Sequence, residues 1–96
     1  MRNPRLGPNV NASGDPIRVA LDVETTGLDP ERDTVIEVGA VKFQGREVLD
    51  TFESLVNPHR PLPPFIQSLT GIQPRELETA PSFADIAPRL QAFVGA

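Results

Sequence analysis

Two carboxylates two residues apart, Asp22 and Glu24, stand in the run Asp22-Val23-Glu24-Thr25-Thr26-Gly27-Leu28, directly after the aliphatic stretch Ile17-Arg18-Val19-Ala20-Leu21. Paired hard oxygen donors at such a position suggest a metal site. For both acids to serve one small metal cluster they must share a face. A β-strand provides that, because side chains alternate in direction and residues i and i+2 stand roughly 6.6 Å apart on one side. The β-branched run before Asp22 predicts such a strand, of a composition suited to the middle of a sheet, and Gly27 ends it. On this reading Leu21 and Val23 point into packing on the opposite face. Charges that extend an apolar strand are costly without compensation, so a bound cation or a strong hydrogen-bond network accounts for the pair better than a solvated rim does.

The elements that would hold this strand can be read from the following residues. Asp29-Pro30-Glu31-Arg32-Asp33 is a polar connection, and Thr34 to Phe43 has the β-branched density of a second strand. Gln44-Gly45-Arg46 is a turn signal, so Val48 to Val56 reads as a third strand in an antiparallel hairpin with the second. Pro63 to Gly71 predicts a short helix with proline at its start and glycine just past its end, burying Phe65, Ile66 and Leu69. Ser82 is placed to cap a final helix carrying Phe83, Ile86, Leu90 and Phe93, with Asp85 in its first turn. Pro88 either kinks that helix or begins it. Three strands before any helix predict an α/β fold of the ribonuclease H-like type, with a three-stranded antiparallel start to a mixed sheet followed by helices, rather than a dinucleotide-binding βαβ unit.

Asp22-Val23-Glu24-Thr25-Thr26-Gly27-Leu28 resembles the first motif of the DnaQ-like 3′-5′ exonucleases of the DEDD superfamily, whose members include proofreading subunits of bacterial DNA polymerase III. Val35-Ile36-Glu37-Val38-Gly39-Ala40-Val41 resembles the second strand of that family. Leu69-Thr70-Gly71-Ile72 resembles a later element, followed by Pro81-Ser82-Phe83, while Leu62-Pro63-Pro64-Phe65-Ile66 is similar to exonuclease domains fused to DinG-type helicases. The resemblance implies two-metal hydrolysis of a phosphodiester, with Asp22 and Glu24 as catalytic metal ligands and two Mg2+ or Mn2+ ions in the complete domain. It also implies that Thr25, Thr26 and Gly27 hold a terminal nucleotide, that Leu28 packs on its base and that Thr70 borders the pocket. The implied substrate is a single-stranded DNA 3′ end, and the implied partner is a DNA polymerase or a fused helicase. The family's second metal-binding acid belongs to a motif expected just beyond Ala96. Residues 17–96 are therefore expected to be the N-terminal half of a truncated exonuclease domain, inactive alone.

Composition narrows the alternatives. With a net charge of −4 and a pI near 4.8, the chain is poorly suited to grip nucleic acid by electrostatics alone, so affinity would depend on divalent ions. The absence of cysteine excludes disulfides and thiolate zinc sites. No apolar run approaches a membrane span, and a cytoplasmic location is the default expectation. Residues 1–16, rich in Asn, Pro and Gly, read as a flexible leader. Glu37, inside an apolar strand, reads either as a supporting group near the metal site or, the favoured reading, as a residue held by structural hydrogen bonds, and His59 is expected to face solvent. Two further readings remain: a non-catalytic module that binds a metal or a partner along the sheet edge, and an RNA exonuclease of the oligoribonuclease kind.

Overall fold

Among the three strands of the sheet, the most apolar one lies in the centre. A computed structural model of the chain describes residues 10–95, in which β1 (Ile17–Thr25), β2 (Val35–Gln44) and β3 (Glu47–Leu55) form an antiparallel sheet in the order β1-β2-β3. Ile36, Val38 and Ala40 alternate on the covered face of β2 and are buried. Gly45, at a φ of 58°, makes the β2–β3 turn in the left-handed region that glycine tolerates. Three helices follow: α1 (Pro64–Thr70), α2 (Pro74–Glu78) and α3 (Phe83–Val94). The antiparallel start and the trailing helices are those expected of a ribonuclease H-like domain.

Helix α3 supplies the cover for part of this sheet. Ser82 caps it, accepting from the Asp85 amide while the Asp85 carboxylate accepts from the Ser82 amide, so two of the orphan donors at its start are satisfied. Ile86 is fully buried against Val38 and Val56, with Val35, Phe52 and Leu90 packed around them. The Phe52 and Phe93 rings meet at 5.8 Å, and Arg89 and Lys42 each lie over one of those rings. The helix runs through Pro88 rather than starting there. The acceptor left free by the missing amide is the carbonyl of Ala84, an exposed residue where water can replace the lost bond. A second cluster of Ile36, Leu62, Ile66, Ile72 and Leu77 fixes α1 and α2 at one end of the sheet. Helix α2, with its Gln73–Glu76 capping box, has no counterpart in the sequence reading.

Two expectations need correction. Strand β1 is an edge of the described sheet, not its middle, and Leu21 and Val23 are 56% and 43% exposed instead of packed, because α3 lies against β2 and β3 only. Helix α1 buries Ile66 alone, leaving Phe65 73% and Leu69 67% exposed. Phe65 and Leu69 are four residues apart and so share a stripe, turned away from the cluster that holds Ile66. The leader reading falls partly on residues 1–9, outside the described residues. Residues 10–16 form an Asx turn, in which Asn11 Oδ1 accepts from the Ser13 and Asp15 amides and Val10 bridges to Pro16.

Because Ile86 joins α3 to both β2 and β3, Ile86→Ala should destabilise the fold by about 2–5 kcal/mol, the range for emptying a well-packed aliphatic site. Urea unfolding of the two proteins checks this.

Candidate active site

Register decides which side chains meet. Antiparallel pairing sets Asp22 opposite Gly39 and Glu24 opposite Glu37, while Gly39 in turn faces Glu53 on β3. Directly paired residues share a face, so Asp22, Glu24, Glu37 and Glu53 all project from the side of the sheet that α3 does not cover. Gly39 sits among them with nothing within 4 Å of where a Cβ would stand, which leaves the floor open between Asp22 and Glu53. Ala20, Asp22, Gly39, Val41, Thr51 and Glu53 line a depression of about 440 Å³ there.

Burial pushes the Glu37 carboxyl above the ordinary glutamate range, and the charges of Glu53, Glu24, Asp22 and Glu76 push it further in the same direction. Among the described residues, every charge that shifts Glu37 is thus a carboxylate. Its side chain makes no hydrogen bond to a described residue, so the expected structural hydrogen-bonding role is not the one it has; it belongs to an uncompensated acidic face. Among the described residues no three acids or histidines come close enough to enclose an ion unaided. His59 lies elsewhere, exposed, at a φ of 55°, its amide donating to Asn57 Oδ1.

At the end of β1 the chain leaves the sheet. The β1–β2 register shifts between Glu24 and Thr25, after which Thr25 pairs with Val35 and the Thr26 amide donates to the Thr34 carbonyl before the following segment turns away. That segment meets α1. Val23, Glu24, Thr25, Thr26, Gly27 and Leu28 form one wall of a cleft of about 650 Å³, and Pro63, Phe65, Ile66 and Leu69 form the other. Leu28 is fully exposed beside Phe65 and Leu69, so the mouth of the cleft is apolar while Glu24 provides charge at its side. The i, i+4 spacing of Phe65 and Leu69 carried this signal in the sequence, where it was indistinguishable from a core stripe.

The hydroxyls of the two threonines turn inward. Thr25 Oγ1 donates to the Gly27 carbonyl, and Thr26 Oγ1 donates to Asp33 Oδ1 at 2.8 Å while accepting from the Thr34 amide at 3.0 Å. Thr26 is buried, and both hydrogen-bonding capacities of its hydroxyl are used within the loop. Thr70 does not line the cleft. Its hydroxyl donates to the Ile66 carbonyl and accepts from the Ile72 amide, closing the end of α1, where Gly71 takes the left-handed cap position.

This combination of an acidic strand end and an apolar cleft can be set beside known proteins. The profile of the Exonuclease (RNase_T) family matches residues 19–96. The chain belongs to that family. It is 47% identical over 77 residues to the PolC-type DNA polymerase III of Bacillus subtilis, a match covering 80% of this chain and 5% of that protein. With the PolC-type enzyme of Thermotoga maritima it shares 41% identity over 81 residues, 84% of this chain and 6% of the other. The chain thus spans about one-twentieth of the length of these relatives. Among solved structures, the nuclease domain of 3′hExo, a DEDDh family member bound to rAMP, superimposes with a TM-score of 0.69 at 26% identity, over 78% of this chain and 42% of that one. A 3′-exonuclease recognising the 3′ end of a histone mRNA stem-loop gives 0.66 at 30% identity, over 75% and 28%. Fold and family therefore agree that this is the N-terminal part of a DnaQ-like 3′-5′ exonuclease domain.

The acidic face carries a pH signature. A carboxyl whose pKa is raised by folding holds its proton more tightly in the folded chain, so the stability it confers is complete below the ordinary pKa and is lost as pH rises through the raised one. In metal-free buffer, Glu37→Gln should therefore raise Tm at neutral pH, and the gain should vanish on acidification to about pH 4, where the wild-type carboxyl is itself protonated when folded. Thermal unfolding of both proteins across that range checks the sign.

Proposed function

We propose that residues 17–96 supply the first metal-binding strand and the terminal-nucleotide cleft of an exonuclease that removes nucleotides from DNA 3′ ends, within a longer polypeptide that contains a replicative polymerase. The carrying observation is the register that places Asp22 and Glu24 together on an open acidic face, beside a cleft walled by Thr25–Leu28 and α1. The 47% identity to a PolC-type polymerase, against 26% to the nuclease domain bound to rAMP and 30% to the 3′-exonuclease that recognises a histone mRNA stem-loop, favours DNA over RNA.

The donor set fits a hard divalent cation. Asp22 and Glu24 offer carboxylate oxygens, among the described residues no lysine or arginine shifts neighbouring Glu37, and the space above Gly39 is open. When bound, two Mg2+ or Mn2+ ions supply Lewis acidity and lower the pKa of the attacking water. Asp22 and Glu24 would hold them, and Glu24, which also borders the cleft, would orient water toward the scissile phosphate. Glu37 and Glu53 keep the face negative, so that cations are drawn to it. Leu28 and Phe65, from opposite walls, would sandwich the terminal base. Such stacking is tolerant of base identity because every base has a π-face. Gly27, without a side chain, would leave room for backbone contact with the sugar. Thr25 and Thr26, their hydroxyls turned inward, would contribute through the backbone of the loop they hold, and Thr70 through closing α1 behind Leu69.

Two acids leave most of an octahedral coordination shell to other donors. Residues 1–96 by themselves should accordingly digest no single-stranded DNA in Mg2+, and release of nucleotides by the purified chain would overturn that expectation. In the full-length protein, Asp22→Asn should slow release of the 3′-terminal nucleotide by at least about a hundredfold, the scale of losing one preorganised electrostatic contact in a reaction centre. Wild-type turnover in that variant would contradict the assignment of Asp22.

A further inference from the structure

Between Gly27 and Arg32 the chain has no apolar anchor. Gly27 has no side chain, Leu28 is fully exposed, and Asp29, Pro30, Glu31 and Arg32 are exposed as well. Yet this segment forms a wall of the cleft, so something polar must fix it. The hydrogen bonds converge on one carboxylate. Asp33 Oδ1 accepts from Thr26 Oγ1 at 2.8 Å, and Asp33 Oδ2 accepts from the Asp29 amide at 2.8 Å. The Asp33 amide donates to the Asp29 carbonyl, and the Thr34 amide closes the ring onto Thr26 Oγ1. Asp33 also lies directly against Gly27, where a Cβ would stand 2.5 Å from Oδ2. The absence of a side chain at position 27 is what admits it.

Resting on the exonuclease reading above, we propose that Asp33 is a positioning residue of the nucleotide cleft: it clasps Thr26, Gly27 and Asp29 so that Gly27 and Leu28 face the terminal nucleotide beside Glu24. The Thr26 hydroxyl bond, the Asp29 amide and the nearby Arg60 charge all hold the Asp33 carboxyl below the usual range, so the clasp is charged at neutral pH. A charged acceptor makes stronger bonds than a neutral one. Arg60 closes the outer side, its guanidinium donating to the Arg32 carbonyl. Asp33 belongs to neither apolar cluster, and its effect is confined to the loop.

The proposal separates nucleotide binding from metal chemistry. In the full-length protein, Asp33→Ala should raise KM for release of the 3′-terminal nucleotide of a single-stranded oligodeoxynucleotide about tenfold, with kcat within about threefold, the scale of one charge-assisted hydrogen bond. Half-saturation by Mn2+ should not move. Thr26→Val removes the other half of the clasp and should reproduce the KM effect, and the double variant should be no worse than either single one. Gly27→Ala, which pushes the carboxylate away, should act in the same direction. An unchanged KM in Asp33→Ala overturns the proposal, as does a parallel loss of kcat and Mn2+ affinity, which would place the effect on the metal strand. Amide hydrogen exchange at Gly27 and Leu28 reads the clasp without activity: faster exchange in Asp33→Ala supports it, and unchanged exchange overturns it. If the wild-type protein released no nucleotide while the exchange effect held, the exonuclease reading would fall and the clasp would survive as a loop device only.

Discussion

The pairing register between β1 and β2 is the constraint on which the rest of the molecule depends. With Asp22 opposite Gly39 and Glu24 opposite Glu37, four carboxylates are gathered on the uncovered face while Val23 stands beside buried Val38 on the other. A slip of one residue would exchange these faces, turning Asp22 and Glu24 toward the side on which α3 packs. That is an arrangement the fold would not tolerate, since unpaired charge would then meet Val38, Val56 and Ile86. The hydrophobic cluster therefore protects the acidic face indirectly, by making the alternative register costly.

The same strand meets a second demand at its end. Pairing shifts at Glu24/Thr25, and the chain must leave the sheet, form a cleft wall and return as β2. Apolar packing cannot do this where Leu28 has to stay exposed. A ring of hydrogen bonds through Thr26, Asp29, Asp33 and Thr34 does it instead, with Gly27 as the residue that admits the carboxylate. The site thus combines two kinds of order: acids held by a sheet register that is set globally, and a nucleotide wall held by a loop that is set locally.

Much of this was legible in the residues. The β-branched runs, the Gly45 turn, the Pro and Gly bracketing α1 and the Ser82 cap are local signals, and each appears in the structure where the sequence places it. The edge position of β1 was not legible, because the aliphatic composition of Ile17–Leu21 states how much surface can be buried, not which neighbour buries it. Phe65 and Leu69 were misread for a related reason. An i, i+4 apolar pair looks the same whether it faces a core or a cleft, and only the competing placement of Ile66 in the second cluster decides. The inward hydroxyls of Thr25, Thr26 and Thr70 and the convergence of acids around Glu37 depend on tertiary geometry that spacing does not specify.

The most direct test of the account is to locate a divalent cation by anomalous scattering from Mn2+ in crystals of the full-length protein. The account predicts density bonded to carboxylate oxygens of both Asp22 and Glu24, on the face shared with Gly39 and Glu37. Mn2+ found elsewhere, with Asp22 and Glu24 free of metal, would contradict it.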